Sequence, residues 1–324
     1  MVRVIKPTRE EKTRLWRIPY IFMEKQVTPQ ALSEYSLLWG LHSRFLEIMF
    51  WQLDTLYLLS QSNDLVWKGG TCVQSYLEPE YQRYSVDIDL NTSLEREGII
   101  RLIDKINSRI MRDEKFVELN GIRIGLLNLH SENRVLGVLN YYRLVPCKHG
   151  GEYSYRGEIK ILGVIPIRVQ INYGYHKKTK ITALNITMRK PGLAPSRILN
   201  INFVFPHASR EDLLADKLLA MVEVKEKHRG RVKIKDAYDI LSLIRTNKLD
   251  FGIVRRKIDV ISESWGIGYD LAVKKSLEAL EKLSEYALEV LGLRGSVGHR
   301  GYVEIVSKWR IAIKELIGFL RGKL

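Results

Sequence analysis

The chain has 324 residues, 45% of them hydrophobic, and 52 lysines and arginines against 37 acidic residues give a net charge of +15. That length supports a sizeable core and two domains. The charge favours polyanionic partners through phosphate neutralisation and counterion release, nucleic acid ahead of a membrane surface or an acidic protein. The opening MVRVIKPTREEKTRLW is charged and lacks the apolar stretch of a signal peptide. No run approaches the roughly 18–20 uncharged apolar residues of a membrane span, so a cytoplasmic chain is expected. Cys72 and Cys147 lie far apart without metal-ligand spacing, which argues against a structural zinc cluster.

In chain order, residues 1 to about 60 read as helical. Leu37, Leu38, Leu41, Phe45, Ile48, Met49 and Leu53 follow the spacing of one amphipathic stripe packed on a core. Leu65-Val66-Trp67 reads as a short strand that delivers the chain into a tight turn at Lys68-Gly69-Gly70. Residues 84–91, YSVDIDLN, alternate with period two and predict a strand with one apolar and one acidic face. A helix is predicted at 98–112. Strands are predicted at about 116–129, 134–145, 153–162 and 165–173, with turns at Ser131-Glu132-Asn133, at His149-Gly150-Gly151 and near Gly163. A loop rich in Pro and Lys/Arg fills 176–197. Helices follow at 210–228, 234–246, 250–263, 270–292 and 301–321, the first opened by a capping box of Ser209 and Asp212. The pattern describes an α+β unit over 1–205 and an all-helical unit over 206–324.

Asp87 and Asp89 carry the chemistry. Two residues apart on a strand, their carboxylates share one face roughly 6–7 Å apart. Like charges so placed are a solvated strand face or a site for a cation, and hard ions such as Mg²⁺ take carboxylate oxygens while leaving room for phosphates and water. The upstream turn favours the second reading. Backbone N–H groups of Gly69 and Gly70, with Lys68 and the Thr71 hydroxyl, form the kind of turn that cradles phosphates. Ser85 can bond a phosphate or orient Asp87, and Arg83 can clamp phosphate with both arms of its fork.

KGGT ending at Thr71 and RYSVDIDL at 83–90 resemble the signature of the AbiEii/MenT-like nucleotidyltransferases, a family within the DNA polymerase β-type superfamily that includes many toxins of toxin–antitoxin pairs. A second block, EDLLADKLLAMVEVKEKHRGRVKIKDAYDIL at 211–241, resembles that family's helical block, so the likeness is anchored from about 60 to 245. It implies a nucleotidyltransferase-type mixed sheet flanked by helices and followed by the helical unit. It also implies Mg²⁺ or Mn²⁺ on Asp87 and Asp89, with an NTP as substrate. The acceptor it implies is a hydroxyl of RNA, the 3′ end of tRNA among the candidates, or of a protein, and the partner it implies is an antitoxin protein.

The second block reads physically as well. Lys217 sits on an apolar stripe with Leu213, Ala220, Met221 and Val224, where an ammonium either snorkels to water or serves a site. The resemblance gives it the second role, neutralising the nucleotide phosphates. Asp236 and Asp239 share a helix face. The resemblance makes Asp236 an active-site carboxylate that positions Lys217 or the substrate, and Asp239 reads as a packing residue held by a hydrogen bond or ion pair. Asp216 reads as a solvated helix charge. Two positions depart from the family pattern. Lys235 replaces an arginine, and Gln170 stands, with Asn172 two residues on, where a third carboxylate is expected; an amide takes no proton and binds metal poorly. Gln170 keeps open an alternative, a catalytically degenerate fold that binds nucleotide, RNA or a partner protein.

Overall fold

The computed structural model describes residues 18–19, 23, 26–112, 127–131, 134–149, 152–173, 185–222, 229–285 and 296–324. Expectations for the helical start before 18, the strand at 116–126, the turn positions at 132–133 and 150–151, the loop at 176–184 and the helical stretches at 223–228 and 286–292 lie outside the described residues; the rest of that expected loop, to 197, is not all loop, since it holds a strand at Ile186–Arg189 and the start of a short helix at Pro195–Ile198.

A small ribbon of β1 (Ile18–Pro19) and β2 (Gln26–Val27) precedes α1 (Pro29–Trp39) and α2 (Ser43–Leu59). The Leu37-to-Leu53 stripe expected as one helix is therefore two. Gly40 adopts φ 70°, the left-handed conformation that ends helices, and α1 stops there. The break rotates the first part of the stripe off the core, leaving Leu37 85% and Leu38 61% exposed, while Ile48, Met49 and Leu53 are buried on α2.

The sheet has seven strands among the described residues, in the order β5-β6-β7-β4-β3-β9-β8. They are β3 (Val66–Lys68), β4 (Asp87–Asn91), β5 (Asn128–Ser131), β6 (Arg134–His149), β7 (Glu152–Asn172), β8 (Ile186–Arg189) and β9 (Phe205–Ala208). Short α3 (Gly69–Gln74) follows β3 directly, and α4 (Arg96–Arg112) and α5 (Pro195–Ile198) are the other helices inserted between strands. The sheet is mixed: β4 runs antiparallel to β3 and parallel to β7, and β9 runs parallel to β3. The hairpins expected from closely spaced strands are present as antiparallel β5-β6-β7. The turn expected near Gly163 is not. Gly163 pairs with Arg143 inside one continuous β7, next to a register shift, so the glycine marks a bulge rather than a chain reversal. The alternation in β4 is realised: Ile88 and Leu90 are fully buried, and Asp87 and Asp89 point to the other face.

The helical part comprises α6 (Arg210–Val222), α7 (Arg229–Thr246), α8 (Phe251–Ser264), α9 (Tyr269–Leu283) and α10 (Trp309–Lys323). The expected capping box is half formed. Ser209 Oγ accepts from Asp212 N at 3.1 Å, but the Asp212 carboxylate accepts from Asn185 N at 2.8 Å instead of turning back to the cap. The helix expected at 301–321 is interrupted, with a π-helical turn at Tyr302–Val306 before α10. One continuous hydrophobic core joins sheet and helices, from Leu46 and Phe50 through Trp67 and Ile88 to Leu214, Ile240 and Leu316. Among the described residues no helix is long and apolar enough to cross a membrane.

Candidate functional site

Strand pairing assembles the site. In the β3–β4 register Lys68 stands opposite Asp89, so the chain leaves β3 against that carboxylate. Gly69 follows with φ +77°, and a Cβ there would lie 2.8 Å from Asp89 Cβ and collide with its carboxylate. Only glycine fits, on both conformational and steric grounds. A Cβ on Gly70 would sit 3.0 Å from both Arg83 Nη2 and Ser85 Oγ and 3.8 Å from Lys217 Nζ, which shows how closely these groups converge on the turn. Lys68 supplies no side-chain cap to α3. Thr71 is 1% exposed and its hydroxyl donates to the Asp87 carbonyl, tying α3 to β4.

Asp87 Oδ1 is buried and has no hydrogen-bond partner. Burial pushes the Asp89 carboxyl above the usual carboxylate range; Lys68 opposes the shift and Asp87 adds to it. An orphaned buried carboxylate oxygen beside a second carboxylate is costly unless a cation compensates, and this donor set fits a hard divalent ion. Among the described residues no three His, Cys, Asp or Glu side chains gather around a metal position, so such an ion would complete its shell with phosphate and water oxygens. On the other side of β4 the parallel register sets Gln170 beside Asp89 and Arg168 beside Asp87. The Gln170 amide donates to Asn172 Oδ1 at 3.2 Å, and Asn172 donates to Asn91 Oδ1 at 3.4 Å. The strand position expected to carry a third acid thus carries an amide ladder.

The helices close the site from behind. Lys217 on α6 does not snorkel to water. Its Nζ lies 2.5 Å from Asp236 Oδ1 and 3.0 Å from Asp239 Oδ2, both on α7. Burial would lower its pKa, but Asp239 and Asp236 outweigh that and hold it raised. Asp239 is fully buried and also receives both arms of Arg83, Nε at 2.8 Å and Nη2 at 2.6 Å, as well as Gln74 Nε2 at 2.9 Å. Burial alone would raise the Asp239 pKa; Arg83 and Lys217 drive it below the usual range. Arg83 itself is 3% exposed, with Nη1 donating to the Tyr84 carbonyl. Lys235 Nζ lies 5.9 Å from the Tyr84 ring centroid, and Tyr84 stacks on Phe45 at 4.3 Å.

Sequence reasoning brought Lys68, Gly69, Gly70, Thr71, Arg83, Ser85, Asp87, Asp89, Lys217 and Asp236 together, and the fold does cluster them. The ion pair expected at Asp239 is present, but its partners were missed: Arg83 and Lys217 both converge on it. Sequence reasoning also missed Lys257, 2% exposed on α8, which pairs with Asp212 at 3.5 Å and with Asp216 at 3.3 Å. Asp216 is therefore an ion-pair partner and not a solvated charge.

Paired carboxylates on a mixed sheet, facing a glycine-opened turn and backed by a buried lysine, suit the handling of a metal-bound triphosphate, and the family match gives the class as nucleotidyltransferase. The model of the nucleotidyl transferase AbiEii toxin family, of the type IV toxin–antitoxin systems, matches residues 52–285, and the chain belongs to that family. Among solved structures, JHP933 from Helicobacter pylori is similar at 14% identity and a TM-score of 0.35, covering 91% of this chain and 98% of that one. An antigenic nucleotidyltransferase-like protein from Paracoccidioides brasiliensis is similar at 15% identity and a TM-score of 0.31, covering 65% of this chain and 84% of that one. No curated protein sequence matches the chain.

Proposed function

We propose that this nucleotidyltransferase transfers a nucleoside monophosphate from an NTP to a hydroxyl of RNA, the 3′ end of tRNA among the candidates, or of a protein, as the toxin of a toxin–antitoxin pair in the cytoplasm. The observation that carries the reading is the buried, partnerless Asp87 Oδ1 beside Asp89, at the glycine turn that opens α3. Asp87 and Asp89 are the residues that would hold Mg²⁺ or Mn²⁺, and the ion supplies charge neutralisation for the triphosphate and activation of the attacking oxygen. Lys68, the Gly69 and Gly70 backbone and Ser85 face the phosphates, while Thr71 fixes the turn to β4. The acceptor oxygen bonds to the α-phosphorus as the bond to the β-phosphate oxygen breaks and pyrophosphate leaves. Lys217, held by Asp236, offsets the charge that develops on the phosphates. Arg83 acts through Asp239, as a strut for Lys217, since both arms of its fork are already engaged. Gln170 cannot accept the proton from the acceptor, which passes to water in this scheme.

The test incubates the protein and an Asp87→Ala/Asp89→Ala variant with each α-³²P-labelled NTP, Mg²⁺ or Mn²⁺, and total tRNA. Label that appears on RNA or protein with the wild type and vanishes in the variant supports transfer and names both NTP and acceptor. The amide ladder at Gln170 favours one competing reading, a nucleotide- or RNA-binding protein without chemistry. Bound NTP with no transfer from any nucleotide would select it.

A further inference from the structure

Beyond the C-terminal end of α3 lies a cavity of about 300 Å³ that the scheme above does not use. Its walls are Ser75 to Glu78, the loop from Arg189 to Gly192, and Arg197 on α5. The Arg189 guanidinium carbon sits over the Tyr76 ring, 4.2 Å from its centroid, and Nη2 donates to the Ser75 carbonyl at 3.1 Å. The cation–π contact and the hydrogen bond together hold the fork in place. Neither Arg189 nor Lys190 forms an ion pair among the described residues. Arg197 pairs with Glu78 at 2.6 Å, but both side chains are more than half exposed, and such a surface pair exchanges its partner at little cost. A half-buried, oriented guanidinium without a carboxylate, in a cavity with two further cations, is a receptor for a planar or tetrahedral oxyanion.

The cavity is fixed rigidly to the candidate active site. Gln82 is fully buried and donates from Nε2 to the Leu77 carbonyl at 2.8 Å and the Gly192 carbonyl at 2.9 Å, while its side-chain Oε1 accepts from Ala194 N at 2.8 Å. The next residue is Arg83, the strut of the Lys217 cluster. The six residues of α3 separate the glycine turn from the cavity by about 9 Å at a rise of ~1.5 Å per residue. That is about three nucleotides at ~3.4 Å each.

We propose that this cavity is a phosphate subsite for a polynucleotide acceptor: Arg189 and Lys190, joined by Arg197, hold a backbone phosphate two or three nucleotides from the reacting end. The proposal rests on the nucleotidyl-transfer reading and specifies its acceptor as nucleic acid. The net charge of +15 on the chain acts in the same direction.

The test uses the full chain with fluorescently labelled total tRNA and a labelled single-stranded oligoribonucleotide, and measures anisotropy between about 50 and 200 mM KCl. The variants are Arg189→Gln/Lys190→Gln and, because Lys190 is exposed and its loss endangers no packing, Lys190→Glu alone. Affinity for a fluorescent NTP with Mg²⁺ is measured alongside, and inorganic phosphate serves as competitor. The expected result is about tenfold weaker RNA binding in the double variant and a salt slope shallower by about 0.7 for each phosphate lost. Lys190→Glu should shift binding in the same direction, with NTP affinity unchanged in both. Equal RNA binding by variants and wild type overturns the subsite and leaves the transfer reading standing. A wild type that binds no polynucleotide and labels a protein overturns both the acceptor class and the subsite. Phosphate binding that depends on Arg189, alongside RNA binding that does not, assigns the cavity to a free anion and overturns the polynucleotide.

Discussion

At Gly69 two constraints coincide, a positive φ and the Asp89 carboxylate where a Cβ would stand. The left-handed conformation alone costs a non-glycine residue about 1–2 kcal/mol, and the collision adds to it by moving Asp89. Gly69→Ala is therefore expected to lower stability by at least about 2 kcal/mol in urea titration and to abolish transfer. Asp239 and Asp236 differ in a testable way. Removing fully buried Asp239 leaves buried Arg83 without its carboxylate and Lys217 with Asp236 alone, so Asp239→Ala should cost about 3–5 kcal/mol. Asp236→Asn leaves Lys217 its second carboxylate and should cost about 1 kcal/mol, while slowing transfer at least tenfold with NTP affinity little changed. His207 on β9 gives a pH signature. Burial depresses its pKa from 6.5 to about 4, so between those values the unfolded chain binds a proton that the folded chain refuses. Its contribution is complete above about pH 6.5 and is lost as pH falls toward 4, a difference of about 3 kcal/mol. Urea midpoints that fall over this window in wild type and stay level in His207→Gln would bear this out.

The elements themselves were largely legible, because periodicity reports which face is buried. The alternation in 84–91 gave β4 and its acidic face, and the helices α6 to α9 start within a few residues of where caps and apolar spacing put them. What failed was continuity. Gly40 ends α1 although the apolar spacing runs through it, and Gly163 sits inside β7 although it resembles a turn; glycine permits a break without requiring one. Partners distant in sequence were not legible. Nothing local to Arg83 indicates that its fork is engaged 156 positions away by Asp239, and nothing on α8 marks Lys257 as buried. That α8–α6 contact carries its own prediction. Lys257→Met together with Asp212→Asn removes a buried ion pair and keeps the amide acceptor for Asn185, so it should be neutral or slightly stabilising in thermal melts. Lys257→Met alone leaves Asp212 buried and unpaired and should cost about 3–5 kcal/mol.

For the whole molecule, the sequence suggested an α+β unit and a helical unit with a boundary near 205. The candidate site crosses that boundary: Lys217, Asp236 and Asp239 lie beyond it, and Arg83, Asp87 and Asp89 before it. The core is continuous across it as well. Calorimetry is expected to give one transition with equal calorimetric and van't Hoff enthalpies, and a chain ended at residue 208 should not fold, since it keeps buried Arg83 without Asp239.

The distance along the chain between Arg83 and Asp239 also sets a timetable. During synthesis the carboxylates and the glycine turn leave the ribosome first, and Lys217 and its two acids follow, Asp239 last at 156 residues after Arg83, a delay on the order of 10 s at about 5–20 residues per second. Until α7 has emerged the nascent chain has an acidic pair and nothing to complete it. On the proposed scheme the transfer site is therefore incomplete while the chain is still being made, and it closes only when α7 has emerged and folded into place.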